Sequence, residues 1–238
     1  MTSFESVRNL RTYFGPSIGS VNISRDRYRS VPFESELERD WLLLTDAFDL
    51  DLRSIVSQPR VDAGRSGGLP YRFDGRLWHW IPDFVRIRRG RNGLQGPSPD
   101  LVEIKPLGEL YPEYPEDERR QEFERAWIKA KWEAVRTHCQ ARGFGFELAT
   151  ENEIRVQPGL INAETMRSCA DPHFHSHWEK LGRLAVLRLP HESSIRDLQQ
   201  MLPADVDAFS VALRLAWRGE LLLDPSEKWS RTTKFARG

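Results

Sequence analysis

The chain has 238 residues, enough for one large domain or for one domain with a small companion. Basic and acidic residues balance at 35 each, so net charge gives no support to nucleic-acid binding, and any attraction to DNA must come from local basic surfaces. No apolar run is long enough to span a membrane, and two cysteines cannot build a disulfide framework. The first residues lack the basic and apolar regions of a signal peptide, so we expect a cytoplasmic protein.

The first half of the chain predicts an arm, a helix and an extended segment, in that order. Residues 1–30 are polar and irregular and are expected to form an N-terminal arm. A helix is predicted to begin at Ser35, where Ser35 and Glu38 match a capping box. Its apolar residues recur at helical spacing, namely Leu37, Trp41, Leu44 and Phe48. Residues 53–61 look extended and end at Gln58-Pro59.

The stretch from Trp80 to Pro106 carries the clearest chemical signal. It reads as two short apolar strands joined by a Gly/Pro-rich loop, with Asp83 on the first strand and Glu103 and Lys105 on the second. Side chains alternate along a strand, so Glu103 and Lys105 leave the same face. If the hairpin folds about the middle of residues 90–99, Asp83 lies opposite Lys105 and diagonal to Glu103. Two carboxylates beside a lysine predict a site that holds Mg²⁺ against a phosphodiester.

A long helix and a further strand follow. Residues 118–142 are predicted to be helical, ending at Gly143, and residues 144–148 alternate as a strand does. The expected apolar face of the helix consists of Phe123, Trp127, Ala130 and Ala134. This order of elements implies an α/β (α+β) domain, with a mixed sheet flanked by helices.

Residues 157–238 are expected to form a smaller C-terminal unit. Helices are predicted over Ser194–Met201 and Ala204–Arg218, followed by a strand at 220–224 and a basic tail. This is the order of a winged-helix module, whose second helix can enter a major groove. Small helical interaction domains share that order, so DNA contact by this unit stays open.

Basic residues are clustered, and several are candidates for DNA contact, although solvated surface is the plainer explanation of such runs. Arg25, Arg27 and Arg29 form one cluster, and Lys228, Arg231, Lys234 and Arg237 another. The candidates for DNA contact are Arg86, Arg88 and Arg89 in a run that continues to Arg91, Lys129 and Lys131 on the long helix, and Gln58 beside Pro59.

A second metal site is conceivable around Cys169, His173, His175 and His177. Thiolate and imidazole are zinc ligands, but this spacing fits no common zinc motif. Close histidines are more often surface polar residues, which is the interpretation we favour here.

The order of the elements along the chain, rather than any single residue, resembles the PD-(D/E)xK nuclease core. They are an acid-bearing helix, Pro-Asp-Phe in an apolar strand, Glu-x-Lys on the next strand, a long amphipathic helix and another strand. The closer resemblance is to TnsA, the endonuclease subunit of heteromeric bacterial transposases, and covers about residues 20–156. The segments that carry it run from 33 to 49, 58–59, 81–84, 102–106 and 143–151.

The resemblance implies a restriction-endonuclease-like domain at residues 31–156 and a role for each matching residue. Glu38 matches the helix glutamate, Asp83 the metal-binding aspartate and Lys105 the catalytic lysine. Glu38 could also complete the metal site or position a water. Glu103 stands where the family has glutamine or glutamate, so it is an expected metal ligand. The backbone carbonyl of Ile104 completes the expected ligands of Mg²⁺, for which Mn²⁺ could substitute.

The family also implies partner proteins and a biological role. TnsA-like subunits cut the 5′ ends of a transposon, while a DDE-type transposase cuts and joins the 3′ ends. An ATP-dependent regulator typically bridges them to the target. The expected partners are therefore double-stranded DNA at transposon ends, the transposase and such a regulator, with no membrane. Two alternatives remain: a stand-alone restriction or repair nuclease, and a non-catalytic DNA- or protein-binding module that keeps the fold.

Overall fold

The computed structural model describes residues 4–6, 18–62, 67–90 and 99–238. The chain divides into two compact units, one built from Met1–Trp41 and Asp51–Ile154 and the other from Leu42–Leu50 and Arg155–Gly238. None of the helices within the described ranges is long and apolar enough to cross a membrane.

The first unit contains a four-stranded sheet with helices. Its elements are β1 (Gly19–Ile23), β2 (Arg29–Phe33), α1 (Glu36–Phe48, whose end belongs to the second unit), β3 (Leu52–Ser57), β4 (Leu69–Phe73), β5 (Arg76–Trp80), β6 (Phe84–Arg88), β7 (Asp100–Ile104), α2 (Leu107–Leu110), α3 (Glu118–Ala141), β8 (Gly145–Ala149) and α4 (Glu151–Ile154). The central sheet has the order β3-β6-β7-β8, with β7 and β8 parallel and the other pairs antiparallel. The predicted mixed α/β class is therefore confirmed, and the domain is consistent with a restriction-endonuclease-like fold.

Both faces of this sheet are covered. On one face, Val85 and Leu101 belong to a buried cluster with Trp132 and Val135 of α3. On the other face, Trp41 of α1 stacks on Phe84 with ring centroids 5.1 Å apart. Because both faces of the sheet are covered here, each strand buries two adjacent apolar residues: Phe84 and Val85 on β6, and Leu101 and Val102 on β7.

The predicted apolar face of α3 is partly wrong. Phe123 is 70% exposed and Ala130 is exposed as well. The buried residues are instead Trp132, Val135 and Cys139. Trp127 and Ala134 are partly buried, so the fully buried stripe lies nearer the C-terminal end of the helix, in the part that packs on Val85 and Leu101 of the sheet.

Part of the expected N-terminal arm is regular structure. Residues 19–33 form the antiparallel pair of β1 and β2, joined by a short 3₁₀ turn at Ser24–Asp26. Val21, Ile23 and Val31 are buried, so this hairpin belongs to the packed unit. Most of residues 1–17 lies outside the described residues.

A second hairpin joins β4 and β5 through Asp74 and Gly75, both of which have positive φ angles of 50° and 68°. An Asp-Gly pair is the preferred sequence for such a two-residue turn. The hairpin packs on α3, where the Phe73 and Trp127 rings lie 5.2 Å apart. It brings Trp80, at its end, to the central sheet.

The second unit is helical with a small sheet. Its elements are α5 (Gly159–Ala170), α6 (Ser176–Arg188), β9 (Glu192–Ser194), α7 (Ile195–Met201), α8 (Ala208–Trp217), β10 (Leu221–Leu222) and β11 (Lys234–Arg237). The strands are antiparallel in the order β10-β11-β9, which makes part of the predicted basic tail the central strand. From α6 to β11, the elements follow the order of a winged-helix module.

The second helix of that module is largely buried. Residues 211–216 of α8 are all buried, and no residue of α8 is exposed. The helix packs against α5, α6 and α7 within its own unit. Because α8 forms the core of the unit, its burial gives no support to entry into a major groove, and DNA contact by this unit stays a prediction.

A buried ion pair holds α8 in place. The side chains of Arg214 and Glu179 are 5% and 8% exposed, and the Arg214 Nε donates to Glu179 Oε2 at 2.9 Å. Arg214 Nη1 also donates to the backbone carbonyls of Cys169, Ala170 and Asp171, at the end of α5. One guanidinium thus connects three helices.

We expect Glu179→Ala to destabilise the protein by about 3 kcal/mol or more, because it leaves the Arg214 charge buried without its carboxylate. Glu220→Gln is the matched control, since Glu220 pairs with Arg183 at the surface and should cost less than about 1 kcal/mol. Urea unfolding followed by circular dichroism measures both. Equal stability of the two variants would contradict a structural role for the buried pair.

Candidate active site

The predicted hairpin of β6 and β7 exists, but its register differs by two residues. Phe84 pairs with Val102 and Val85 with Leu101. Continued by one residue, this register sets Asp83 alongside Glu103 and not opposite Lys105. A shift of two residues keeps every side chain on its predicted face, so the expected convergence survives. The loop that fixes the register falls mostly in residues 91–98, outside the described residues.

Asp83 is held at the start of β6 by backbone contacts. Its Oδ2 accepts a hydrogen bond of 2.7 Å from the Ile104 amide, and its carbonyl accepts one of 2.7 Å from the Gln58 amide. Gln58 has a φ of 42°, a strained conformation for a residue other than glycine, and its side chain is buried. Gln58 is a candidate for DNA contact, with a structural role at the strand end as the preferred prediction, and its buried side chain and its amide bond to Asp83 favour that structural role.

Glu103 is nearly enclosed, with 5% of its surface exposed. The indole Nε1 of Trp80 donates to its Oε2 at 2.7 Å, and the ammonium of Lys105 lies 3.1 Å from its Oε1. Glu103 and Lys105 therefore share a face, as predicted. The role of Trp80 was not predicted, because a tryptophan at a strand end gives no sign that its N–H meets a carboxylate on another strand.

The buried charges change the acidity of both carboxyls. Burial, and then the charge of Asp83, raise the pKa of Glu103 to about 7. Burial also raises the pKa of Asp83, although the Ile104 hydrogen bond and the Lys105 charge oppose this. Burial lowers the pKa of Lys105, but Glu103 and Asp83 more than offset it, so the net direction is upward and the ammonium stays protonated.

Glu38 serves its helix as well as the site. Its Oε2 accepts from the Glu34 amide at 2.8 Å, its Oε1 from the Ser35 hydroxyl at 3.1 Å, and the Glu38 amide donates to Ser35 Oγ. This satisfies the first turn of α1, as the capping-box pattern predicts. Burial, together with the charge of Asp83, raises the pKa of Glu38 to about 7, so its carboxyl also lies within electrostatic reach of Asp83.

Lys131 is half-buried and belongs to the same environment. Burial lowers its pKa, the charge of Glu103 opposes this, and the charge of Lys105 adds to it. Glu103 also affects Tyr71: burial, and then the charge of Glu103, raise the pKa of the Tyr71 hydroxyl. By contrast, Lys129 is exposed on α3. The sequence predicted the two lysines as equivalent, and the structure separates them.

The predicted arginines lie away from this centre. Arg86 is 11% exposed and pairs with Asp100 and Glu147, while Arg88 pairs with Asp100. A guanidinium already held by two carboxylates is poorly suited to a phosphate, so we do not carry Arg86 forward as a DNA contact. Arg89 is exposed at the end of β6.

The donor set of the centre suits a hard cation. In the described part of the chain no three Asp, Glu, His or Cys side chains form a ready-made metal cage. Mg²⁺ does not require one, since one or two carboxylates with several waters are usual. Glu103 is buried and Asp83 is partly buried beside it, so their charges repel, and a bound cation would relieve that repulsion. These two carboxylates therefore fit Mg²⁺, and the Ile104 carbonyl remains a predicted third ligand.

The cysteine–histidine segment does not form a metal site in the described residues. Cys169 is buried in the core of the second unit, whereas His173, His175 and His177 are all exposed. No group of ligating side chains there is close enough to hold an ion. The zinc alternative is therefore not supported.

Comparison with known families agrees with this geometry. The family model described as TnsA-like endonuclease N terminal matches residues 50–151. That range contains Asp83, Glu103 and Lys105, and it begins after Glu38. No curated protein matches the chain.

The raised pKa of Glu103 predicts a pH-dependent stability in the absence of divalent cations. The folded protein binds a proton at Glu103 that the unfolded chain has lost between pH 4.5 and about 7, so stability falls as the pH rises through this window. Glu103→Gln should flatten the fall and stabilise the protein at pH 8, by at most on the order of 3 kcal/mol.

Urea unfolding in EDTA from pH 4 to pH 8.5 measures this difference. Glu122→Gln removes an exposed glutamate of α3 and should track the wild type throughout. A Glu103→Gln variant that is less stable than the wild type at pH 8 would refute the proposed repulsion.

Proposed function

We propose, from the TnsA-like endonuclease N-terminal domain that residues 50–151 carry, that the protein is a metal-dependent DNA endonuclease of a transposition system. In this proposal it cuts the 5′ ends of a transposon and works with a DDE-type transposase and an ATP-dependent regulator. The observation that carries the nuclease chemistry is the contact of Lys105 with buried Glu103, beside an Asp83 fixed by the next strand.

Asp83 and Glu103 would hold Mg²⁺, or Mn²⁺ in its place. When bound, the cation supplies a more acidic water and screens the charge of the phosphodiester. Asp83 is suited to this because the Ile104 amide fixes Oδ2 and, among the described residues, Oδ1 has no competing donor. Trp80 fixes the Glu103 carboxylate in turn, so both ligands are positioned before DNA arrives.

Lys105 contributes positive charge where the phosphate gains negative charge. Its ammonium remains protonated at neutral pH because Glu103 and Asp83 stabilise it. Held by Glu103, it can orient the attacking water or donate to a phosphate oxygen as charge develops there. Glu38 acts mainly through the position of α1, since both of its oxygens already accept hydrogen bonds.

A stand-alone restriction or repair nuclease would use the same centre, and only the presence of a transposase partner separates the two functions. The non-catalytic alternative is disfavoured by the buried Glu103 beside the partly buried Asp83, because a domain that merely binds has no need to keep two repelling acids together.

We expect Asp83→Asn and Lys105→Met each to reduce cleavage of duplex DNA at least 100-fold, because each removes a group that holds the cation or neutralises charge. Cleavage is measured on labelled transposon-end duplexes with Mg²⁺ or Mn²⁺, with and without the transposase. Mg²⁺ should also raise the melting temperature of the wild type but not of Asp83→Asn, a readout independent of activity. Wild-type rates in either variant would refute the assigned site.

The two lysines of α3 form a matched pair. Lys131→Gln should lower the cleavage rate about 10-fold, because Lys131 lies beside Glu103 and Lys105. Lys129→Gln removes the same charge from an exposed position of the same helix and should leave the rate within about twofold. Single-turnover cleavage separates the two, and equal losses would show that only the charge of the helix matters.

A further inference from the structure

An arginine-lined cleft lies in the first unit, away from the catalytic carboxylates. It measures about 600 Å³ and is lined by Arg25, Asp26, Arg27, Arg53, Ser54, Arg89 and Gly90. Four guanidinium groups thus line it against a single carboxylate. Neither the family match nor the catalytic geometry assigns this cleft a role.

The sheet brings arginines from distant parts of the sequence together. Arg25 and Arg27 belong to the turn between β1 and β2, Arg53 to β3, and Arg89 follows β6. The Ser54 hydroxyl donates to Asp26 Oδ2 at 2.8 Å, which ties the turn to β3. The one acid of the cleft therefore serves to anchor the turn that presents two of the arginines.

The backbone is irregular at this cleft. Arg27 has a φ of 53°, in the left-handed region that is unfavourable for a residue with a side chain. The register of β3 against β6 shifts between Leu52 and Ser54, so Arg53 stands at an irregularity of the strand pairing. Arginines kept at such positions point to a function for their guanidinium groups.

The cleft and the catalytic centre occupy opposite ends of the same strand. Asp83 precedes β6 and Arg89 follows it, so six residues, or about 20 Å, separate them. One strand of a duplex rises 3.4 Å per phosphate, so this distance corresponds to about six base pairs. A duplex cut at Asp83 can therefore reach the cleft if it lies along the sheet.

We propose that this cleft is a second phosphate-binding site, which holds the backbone of duplex DNA about six base pairs from the cut. DNA as the ligand rests on the proposed nuclease function. Guanidinium groups bind phosphate oxygens in a fork geometry, and three of the four arginines are exposed on separate segments. That open arrangement suits an extended backbone better than an enclosed free anion.

Duplex binding without cleavage tests the proposal. Full-length protein in EDTA is titrated against a labelled 30-base-pair duplex at several salt concentrations, with fluorescence anisotropy as the readout. Arg53→Gln and Arg89→Gln should each weaken binding about 3- to 10-fold and reduce the salt slope by about one. Arg76→Gln removes an exposed arginine of β5 outside the cleft and should stay within twofold of the wild type.

The outcomes separate this proposal from the nuclease assignment. Loss of cleavage in Asp83→Asn bears on the nuclease assignment alone, because the binding titration in EDTA involves no cleavage. If neither the wild type nor any variant cleaves but the two cleft variants still bind weakly, the cleft stands and the catalytic assignment fails. If the Arg53→Gln/Arg89→Gln double variant binds as Arg76→Gln does, or the wild type does not bind duplex, the cleft proposal is wrong.

Titration with inorganic phosphate tests whether the cleft binds a free anion instead of the DNA backbone. Millimolar phosphate should not change the melting temperature of the wild type by more than it changes that of the double variant. A phosphate-dependent stabilisation that needs Arg53 and Arg89, together with unchanged duplex affinity, would assign the cleft to a free anion and overturn the proposal.

Discussion

A buried carboxylate beside a second, partly buried one is the constraint on which the first unit depends. Glu103 is enclosed and Asp83 is partly shielded from water, so their charges repel and their ionised forms are disfavoured. The surrounding structure counters this with one donor for each: the Ile104 amide for Asp83 and the Trp80 indole for Glu103. Lys105 adds the only formal positive charge in direct contact with Glu103 among the described residues. A bound cation would relieve the remaining repulsion, which is the physical basis of the proposed metal site.

The residues of this centre could be predicted from sequence, but their environment could not. Alternation along a strand places Glu103 and Lys105 on one face, and this holds even though the hairpin register is shifted by two residues. The register itself depends on a loop whose length does not specify where the turn falls. The near-complete burial of Glu103 depends on Trp80, which arrives on a separate hairpin through the turn at Asp74. Such long-range packing leaves no local pattern in the sequence.

In the second unit too, long-range packing could not be predicted from local sequence patterns. Spacing predicted α7, α8 and the strand that follows them, but it did not predict α5, α6, β9 or β11. Which helix becomes the core depends on α5, whose pattern gave no clear signal, and on the Arg214 contacts to its last carbonyls. An arginine within an apolar helix suggests a surface position from composition alone. Its pairing with Glu179 reverses that expectation, because a paired guanidinium can be buried where an unpaired one cannot.

Although the net charge of the chain is zero, opposite charges gather at the two ends of β6 in the first unit. The end of β6 at Asp83 collects carboxylates, and the end at Arg89 collects guanidinium groups. Carboxylates repel a phosphodiester unless a cation lies between them, whereas guanidinium groups attract it, most strongly at low salt. If the proposed nuclease and cleft functions hold, attraction and chemistry lie at different ends of one strand. Duplex binding at the arginine end would then depend on salt, and cleavage at the carboxylate end on the divalent cation.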